Sequence, residues 1–179
     1  MKIRRKAFSM LVIGVVVAVT TVFAATPAQA AGAFSGLKNR GSNLCVEVNR
    51  FGNPLADGEL VVQRACDGQL VQQWIQVFVD VNSGVFEFVN AFSGKCMDVR
   101  DGVNADTVPI QQWQCRGSNS MKWKLVAPAL PSFNTWQVQS QTGGRCLDVR
   151  NGDGNDGVQI QIFHCTGFGN EAQVWTFIG

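Results

Sequence analysis

The chain carries a single histidine, His164, no Cys-x-x-Cys pair, no basic stripe and, beyond its first thirty residues, no sustained helical period. Each absence excludes something. One histidine, with no serine or cysteine nucleophile spaced to use it, argues against a catalytic triad. Zinc sites want short cysteine spacings, so the cysteines need another account. Lys and Arg number 15 against 13 Asp and Glu, but Lys2, Arg4, Arg5 and Lys6 all stand at the extreme N-terminus. Without them the balance is slightly acidic. That argues against nucleic acid as a partner, because phosphate neutralisation supplies most of such affinity.

Those first residues form a pattern of their own. A basic start, an apolar run from Ala7 to Ala25 and the ending Thr26-Pro27-Ala28-Gln29-Ala30-Ala31 describe a secretory signal peptide over residues 1–30. The competing reading is an uncleaved anchor, since the run is long enough to span a bilayer. Pro27 and the small residues at 28 and 30 favour cleavage. Arg4-Arg5 alone is a weak twin-arginine signal. The expectation is a secreted, extracellular domain over 31–179, with no membrane insertion after signal cleavage and enough length for one sizeable core.

What fills that domain is a recurrence. Cys45, Cys96 and Cys146 stand 51 and 50 positions apart, and Cys66, Cys115 and Cys165 stand 49 and 50 apart. Trp74, Trp123 and Trp175 follow at one phase. Cys96-Met97-Asp98-Val99-Arg100-Asp101-Gly102 is nearly repeated as Cys146-Leu147-Asp148-Val149-Arg150-Asn151-Gly152. A unit of this length is one supersecondary element that buries its apolar face on its copies. Three copies without a fourth point to a closed three-fold object, with the phased tryptophans in its core. Six cysteines outside the cytoplasm read as disulfides, with fifteen connectivities open. The repeat selects Cys45–Cys66, Cys96–Cys115 and Cys146–Cys165.

Within each repeat the texture is short and β-like, as in Phe86-Glu87-Phe88-Val89 and Trp136-Gln137-Val138-Gln139, broken by Gly, Asn, Asp and Ser clusters. Strand alternation puts Gln111, Trp113 and Cys115 on one face and Ile110 on the other, and turns His164 away from Phe163. The expected fold is all-β: a β-trefoil-like barrel with repeats near 34–79, 85–128 and 133–179. Asn151 to Gly157 has the look of a calcium loop. Its sixth place holds Asp156 instead of Gly, and its twelfth Ile162 instead of Glu. A flexible, turn-rich loop describes it better.

Gln72-Gln73-Trp74 and Gln173-Val174-Trp175 are Gln-x-Trp motifs. With Cys-x-Asp-Val-Arg-x-Gly and Ile-Gln-x-aromatic-x-Cys, they make the chain resemble the ricin-type β-trefoil lectins, also found as carbohydrate-binding modules of bacterial glycosidases. The resemblance runs from about Phe34 to Gly179. The middle repeat departs from it, reading Met121-Lys122-Trp123.

A saccharide presents hydroxyls in fixed geometry and a patch of C–H groups, so its pocket needs a flat ring and carboxylate or amide groups. The resemblance implies one pocket per repeat: the Asp after the first cysteine, the aromatic two before the second, the Gln two before that, and an Asn near the final Trp. The middle repeat supplies Asp98, Gln111 and Trp113, and the last supplies Asp148, Gln161 and Phe163. The first supplies Glu47, Val62 and Arg64, and is expected to be structural. The family Asn is replaced by Val71, Ser120 and Ala172, with Asn119 and Asn170 nearby as substitutes. Asp98 and Asp148 have a competing role as turn-formers. The resemblance thus implies a monomeric, non-enzymatic lectin for a glycan or polysaccharide of galactose or xylose type, without cofactor or metal. The other reading is a sugar-silent trefoil that binds a protein, for example as a secreted protease inhibitor. A carboxylate pair in every repeat argues against one hydrolytic site.

Overall fold

A computed structural model describes residues 35–128 and 134–179, and the expected leader over 1–30 lies outside them. The first repeat carries β1 (Ser35–Asn39), β2 (Cys45–Val48), β3 (Val61–Arg64) and β4 (Gln73–Asp80). The second carries β5 (Val85–Asn90), β6 (Cys96–Val99), β7 (Val108–Trp113) and β8 (Lys122–Val126). The third carries β9 (Gln137–Ser140), β10 (Cys146–Val149), β11 (Ile160–Phe163) and β12 (Trp175–Ile178). Short 3₁₀ turns are the only helical pieces among the described residues. None is long and apolar enough to cross a membrane.

Six strands close a barrel. β1 pairs with β4, β4 with β5, β5 with β8 and β8 with β9. A bridge between Trp136 and Trp175 carries the ring to β12, which pairs back onto β1. The hairpins β2–β3, β6–β7 and β10–β11 cap one end, joined by β7–β11 and by bridges from Leu60 to Gln111 and from Val62 to Gln159. This is a β-trefoil.

Alternation explains how the hairpins serve two masters. Val46, Val48, Met97, Val99, Leu147 and Val149 point into the core, while the residues between them face outward. The three phased tryptophans are buried at its centre, and each indole N–H donates to the carbonyl beside the first cysteine. Trp74 reaches Val46 at 3.1 Å, Trp123 reaches Met97 at 3.2 Å and Trp175 reaches Leu147 at 3.0 Å. A buried indole needs such an acceptor, which ties the last strand of each repeat to its second. The disulfides join Cys45 to Cys66, Cys96 to Cys115 and Cys146 to Cys165, with Cα atoms 5.0–5.1 Å apart. Loops of 19–21 residues are each constrained to a benefit of about 3 kcal/mol in the chain-entropy account.

The loop at Asn151–Gly157 is not the flexible segment expected from its composition. Gln63 Nε2 donates to the Asp153 and Asn155 carbonyls at 2.6 and 3.0 Å, and Asp156 Oδ1 accepts from the Ala65 amide at 2.9 Å. Its oxygens are spent clasping the first repeat. The same clasp recurs from the first repeat to the second, where Gln112 Nε2 donates to the Pro54 and Ala56 carbonyls and Asp57 accepts from Gln114. Asp106 accepts likewise from the His164 amide at 2.8 Å, linking the second repeat to the third. Each repeat therefore grips the next around the ring.

Candidate functional site

The outward face of each cap hairpin places an acid, a residue opposite it, and a ring position opposite the first cysteine. In register, Asp98 faces Gln111 and Cys96 faces Trp113; Asp148 faces Gln161 and Cys146 faces Phe163; Glu47 faces Val62 and Cys45 faces Arg64. Identical backbone geometry therefore carries three different chemistries.

In the middle repeat Gln111 Nε2 donates to Asp98 Oδ2 at 2.8 Å, and Arg100 Nε donates to Gln111 Oε1 at 3.1 Å. Arg100 thus fixes which way the amide points. Asp98 is 5 % exposed, yet it lines a cleft of about 670 Å³ with Gln111, Trp113 and Asn119. Where the other repeats place the Gln of Gln-x-Trp, this one has Met121, and no described residue donates to the second Asp98 oxygen. Trp113 is half-buried, with the Arg116 guanidinium 5.5 Å from its ring centroid. Its indole N–H has no partner among the described residues.

The last repeat brings Asp148, Gln161, Phe163 and Asn170 around a smaller cavity of about 270 Å³. Both Asp148 oxygens are engaged: Gln161 Nε2 donates to Oδ1 at 2.8 Å and Gln173 Nε2 to Oδ2 at 3.2 Å. Burial nonetheless raises its pKa, outweighing those two bonds. Asn170 caps the 3₁₀ turn at Glu171–Gln173, accepting from the Ala172 amide at 3.2 Å and donating to Thr166 Oγ1 at 2.9 Å. His164 overturns the alternation argument. Its ring lies 4.3 Å from that of Phe163 with the planes 34° apart, and its Nδ1 is 2.9 Å from Asp106 Oδ2. β11 ends at Phe163, so the period of two no longer governs the next residue.

The first repeat fills its own pocket. Glu47 is fully buried, and Arg50 and Arg64 both pair with it, Arg64 Nε donating to Oε1 at 2.9 Å. Gln72 Nε2 adds a bond to Oε2 at 3.0 Å. Burial works against the charge, but the bonds from Arg50, Gln72 and Arg64 outweigh it and hold the carboxyl below the ordinary glutamate range. Arg64 packs over Phe51 at 4.6 Å, and Arg50 continues to Asp67 at 2.6 Å. Both Glu47 oxygens are thus taken by protein donors.

Sequence reasoning missed Arg50, Arg100, Arg116 and Thr107. Thr107 lines the third cavity in a left-handed conformation, φ +66°, at the position held by Gly58 and Gly157 in the other repeats. A gap-aware alignment of the three repeats would have exposed that substitution, and the phased Asp57, Asp106 and Asp156 with it. Glu87, Cys96 and Cys115 form the one group with metal-ligand spacing among the described residues, but the two sulfurs are joined as a disulfide and offer no thiolate.

The family model described as ricin-type beta-trefoil lectin domain-like matches residues 23–113, 72–163 and 122–179, starting afresh about once per repeat. Among solved structures, the designed three-fold symmetric protein ThreeFoil is 25% identical, with a TM-score of 0.73 over 82% of this chain and 98% of its own. An exo-beta-1,3-galactanase from Clostridium thermocellum is 26% identical with a TM-score of 0.73 over 81% of this chain, which spans only 30% of the galactanase chain. The Macrolepiota procera ricin B-like lectin, in complex with lactose, shares the fold at 16% identity, with a TM-score of 0.69 over 82% of this chain and 95% of that one. Comparison with curated proteins finds no match.

Proposed function

Because the chain belongs to the ricin-type beta-trefoil lectin domain-like family, we propose that it is a secreted, non-enzymatic lectin that holds sugar at its second and third repeats. One observation carries the assignment. At the same strand position, Glu47 is locked by two arginines, whereas Asp98 takes a single amide bond and lines an open cleft. A carboxylate with lone pairs to spare accepts two neighbouring sugar hydroxyls through charge-assisted bonds. Trp113 then stacks on the C–H face, and the Gln111 amide, oriented by Arg100, limits which hydroxyl arrangement fits. Asn119 stands at the rim to add an amide.

The third repeat offers Asp148, Gln161, Phe163 and Asn170 in the same roles, in less space and with more of its hydrogen bonds already made. Galactose-type sugars are favoured by the galactanase and the lactose-bound lectin among the similar structures. A shallow site with one ring and a few hydrogen bonds binds weakly, at about −4 kcal/mol or millimolar Kd. Two sites on one rigid body raise the effective affinity for a multivalent glycan by about 10²-fold or more. Residues 1–30 would be removed on export, which suits a domain stapled by three disulfides.

A glycan array probed with residues 31–179 tests the assignment. Binding is expected, and Trp113→Ala should weaken the middle site by at least about 1 kcal/mol, the scale of an aromatic contact. A blank array would end the lectin reading in favour of a trefoil that binds protein. Mass spectrometry of the exported chain checks the cleavage point.

A further inference from the structure

The grip of one repeat on the next is not built alike at all three joints. Gln112 Nε2 reaches the Pro54 and Ala56 carbonyls, Gln63 Nε2 reaches those of Asp153 and Asn155, and both glutamines are fully buried. A serine completes each: Ser93 Oγ donates to Gln112 Oε1 at 2.6 Å, and Ser42 Oγ to Gln63 Oε1 at 2.8 Å. At the matching place in the third repeat, opposite Leu147, stands Ile162, and Gly143 takes the place of the serine. Ile162 packs in the core and its side chain donates nothing. Asn104 fills the space left at Gly143, where a Cβ would overlap its amide.

The joint between the second and third repeats is therefore held by charge. Asp106 Oδ1 accepts from the His164 amide and from Arg145 Nε, both at 2.8 Å, and Oδ2 lies 2.9 Å from His164 Nδ1. Arg145 hydrogen-bonds Asn104 as well. At the first-to-second joint Lys95 meets Asp57 at 2.7 Å, but the residue in the place of His164 is Gln114, which gives Asp57 its backbone amide and no ring. Bonds from His164 and Arg145 hold the Asp106 carboxyl below the ordinary aspartate range. Thr107, next to Asp106, and Phe163, next to His164, both line the third cavity, and the imidazole lies 4.3 Å from the Phe163 ring. The Asp106–His164 contact thus bolts two walls of that cavity together.

Resting on the sugar-binding assignment above, we infer that His164 is a positioning residue of the third site: through Asp106 it fixes Thr107 against Phe163, and it gives this site a pH dependence that the middle site lacks. Imidazole is the side chain whose charge ordinarily changes between about pH 5 and 8. Protonated, it faces Asp106 as an ion pair and a donor; neutral, it keeps only a hydrogen bond. The charged groups around it are Asp106, Arg145 on that same aspartate, and Asp148. Burial raises the Asp148 pKa, Asp106 adds to the rise and His164 opposes it. A protonated ring therefore tightens the bolt and favours the charged, accepting form of Asp148. Third-site binding weakens as pH rises through the imidazole transition.

Three equivalent amides read the joints without any ligand. Gly58 N donates to the Gln112 carbonyl at 2.9 Å, Thr107 N to that of Ile162 at 3.0 Å and Gly157 N to that of Gln63 at 2.8 Å. In amide hydrogen exchange corrected for intrinsic rates, Thr107 protection should fall about twofold to fivefold from about pH 5.5 to about pH 8, the scale of an exposed charged pair. Gly58 and Gly157 should not change. His164→Asn keeps a donor for Asp106 without a titrating charge, and should abolish the fall. Galactose titration in a Trp113→Ala background reads the third site by itself. Its affinity should weaken by a similar factor over the same range, and His164→Asn should retain only the part due to Asp148. Thr107 protection independent of pH, or galactose affinity that responds to pH alike with and without His164, would overturn the positioning role and leave the lectin assignment standing. Silence toward galactose would overturn that role too, and a blank array beside it would remove the lectin assignment as well.

Discussion

Replacing each site aspartate by asparagine separates sugar binding from turn formation, and the two sites should answer differently. Asp98 accepts one protein bond, from Gln111 at 2.8 Å. An asparagine in its place can turn its carbonyl toward that donor and leave its amide where no protein donor stands. Asp98→Asn should therefore cost less than about 0.5 kcal/mol of stability, the range of substitutions that break no special feature. Binding loses more. An amide donor replaces an anionic acceptor, and a hydrogen bond to a charged group contributes about 1.5–3 kcal/mol, so a millimolar site drops by about tenfold or more. Asp148 is clamped on both oxygens, by Gln161 at 2.8 Å and Gln173 at 3.2 Å. An asparagine there sets its own N–H groups against one of the two donors. That mismatch costs about 1–3 kcal/mol, partly offset because the neutral side chain escapes the desolvation that raises the Asp148 pKa. A net loss near 1 kcal/mol corresponds to about 2–4 °C in Tm for a domain of this size. Calorimetric melting and retention on immobilised galactan, each variant beside its parent, read both effects. If Asp98→Asn retains glycan as the parent does, Asp98 is a turn-former and not a sugar acceptor. If both variants melt alike, the double clamp on Asp148 carries no energy.

Arg64→Ala should leave glycan retention unchanged and lower stability by about 1.5–3 kcal/mol, because buried Glu47 loses one of its charged partners; a thermal melt together with the retention assay reads both. Glu87, nearly buried with Oε1 unpartnered, has a pKa raised by burial, with Lys122 opposing. A carboxyl raised in the folded state contributes stability that is present below its unfolded value, about 4.3, and lost as pH rises through the folded value. Glu87→Gln should therefore melt above the parent at neutral pH, with the gap closing below about pH 4; melting curves across that range decide it, and a gap independent of pH refutes it.

The framework was legible in one dimension because it is local and repeated. Cysteines and tryptophans at constant phase announce three copies of one element, and a period of two assigns Asp98, Gln111 and Trp113 to the outward face while Met97, Val99 and Ile110 fill the core. Val62 and Arg64 likewise marked the first repeat as lacking the amide and ring. Where regular structure stops, that logic stops too, as His164 shows one residue beyond β11 by folding onto Phe163. The composition of Asn151–Gly157 suggested freedom, but its Asp153 and Asn155 carbonyls are held by Gln63 of the first repeat, 90 and 92 residues earlier in the chain.

By itself, then, the sequence determined the three-fold trefoil, the pairing of its cysteines and which side chains share the outward face, since alternation and repetition act between near neighbours. Only the tertiary structure decided how those faces differ. Arg50 and Arg64 close over Glu47, Met121 leaves one Asp98 oxygen unclaimed where Gln173 engages Asp148, and Thr142 and Thr107 wall cavities belonging to other repeats. Arg50, Arg64, Met121 and Gln173 belong to the same repeat as the acid they meet or leave free, and the packing of each hairpin decides which of them reaches it. Thr142 and Thr107 come from a neighbouring repeat that ring closure of the barrel brings alongside, and no local pattern encodes such a neighbour.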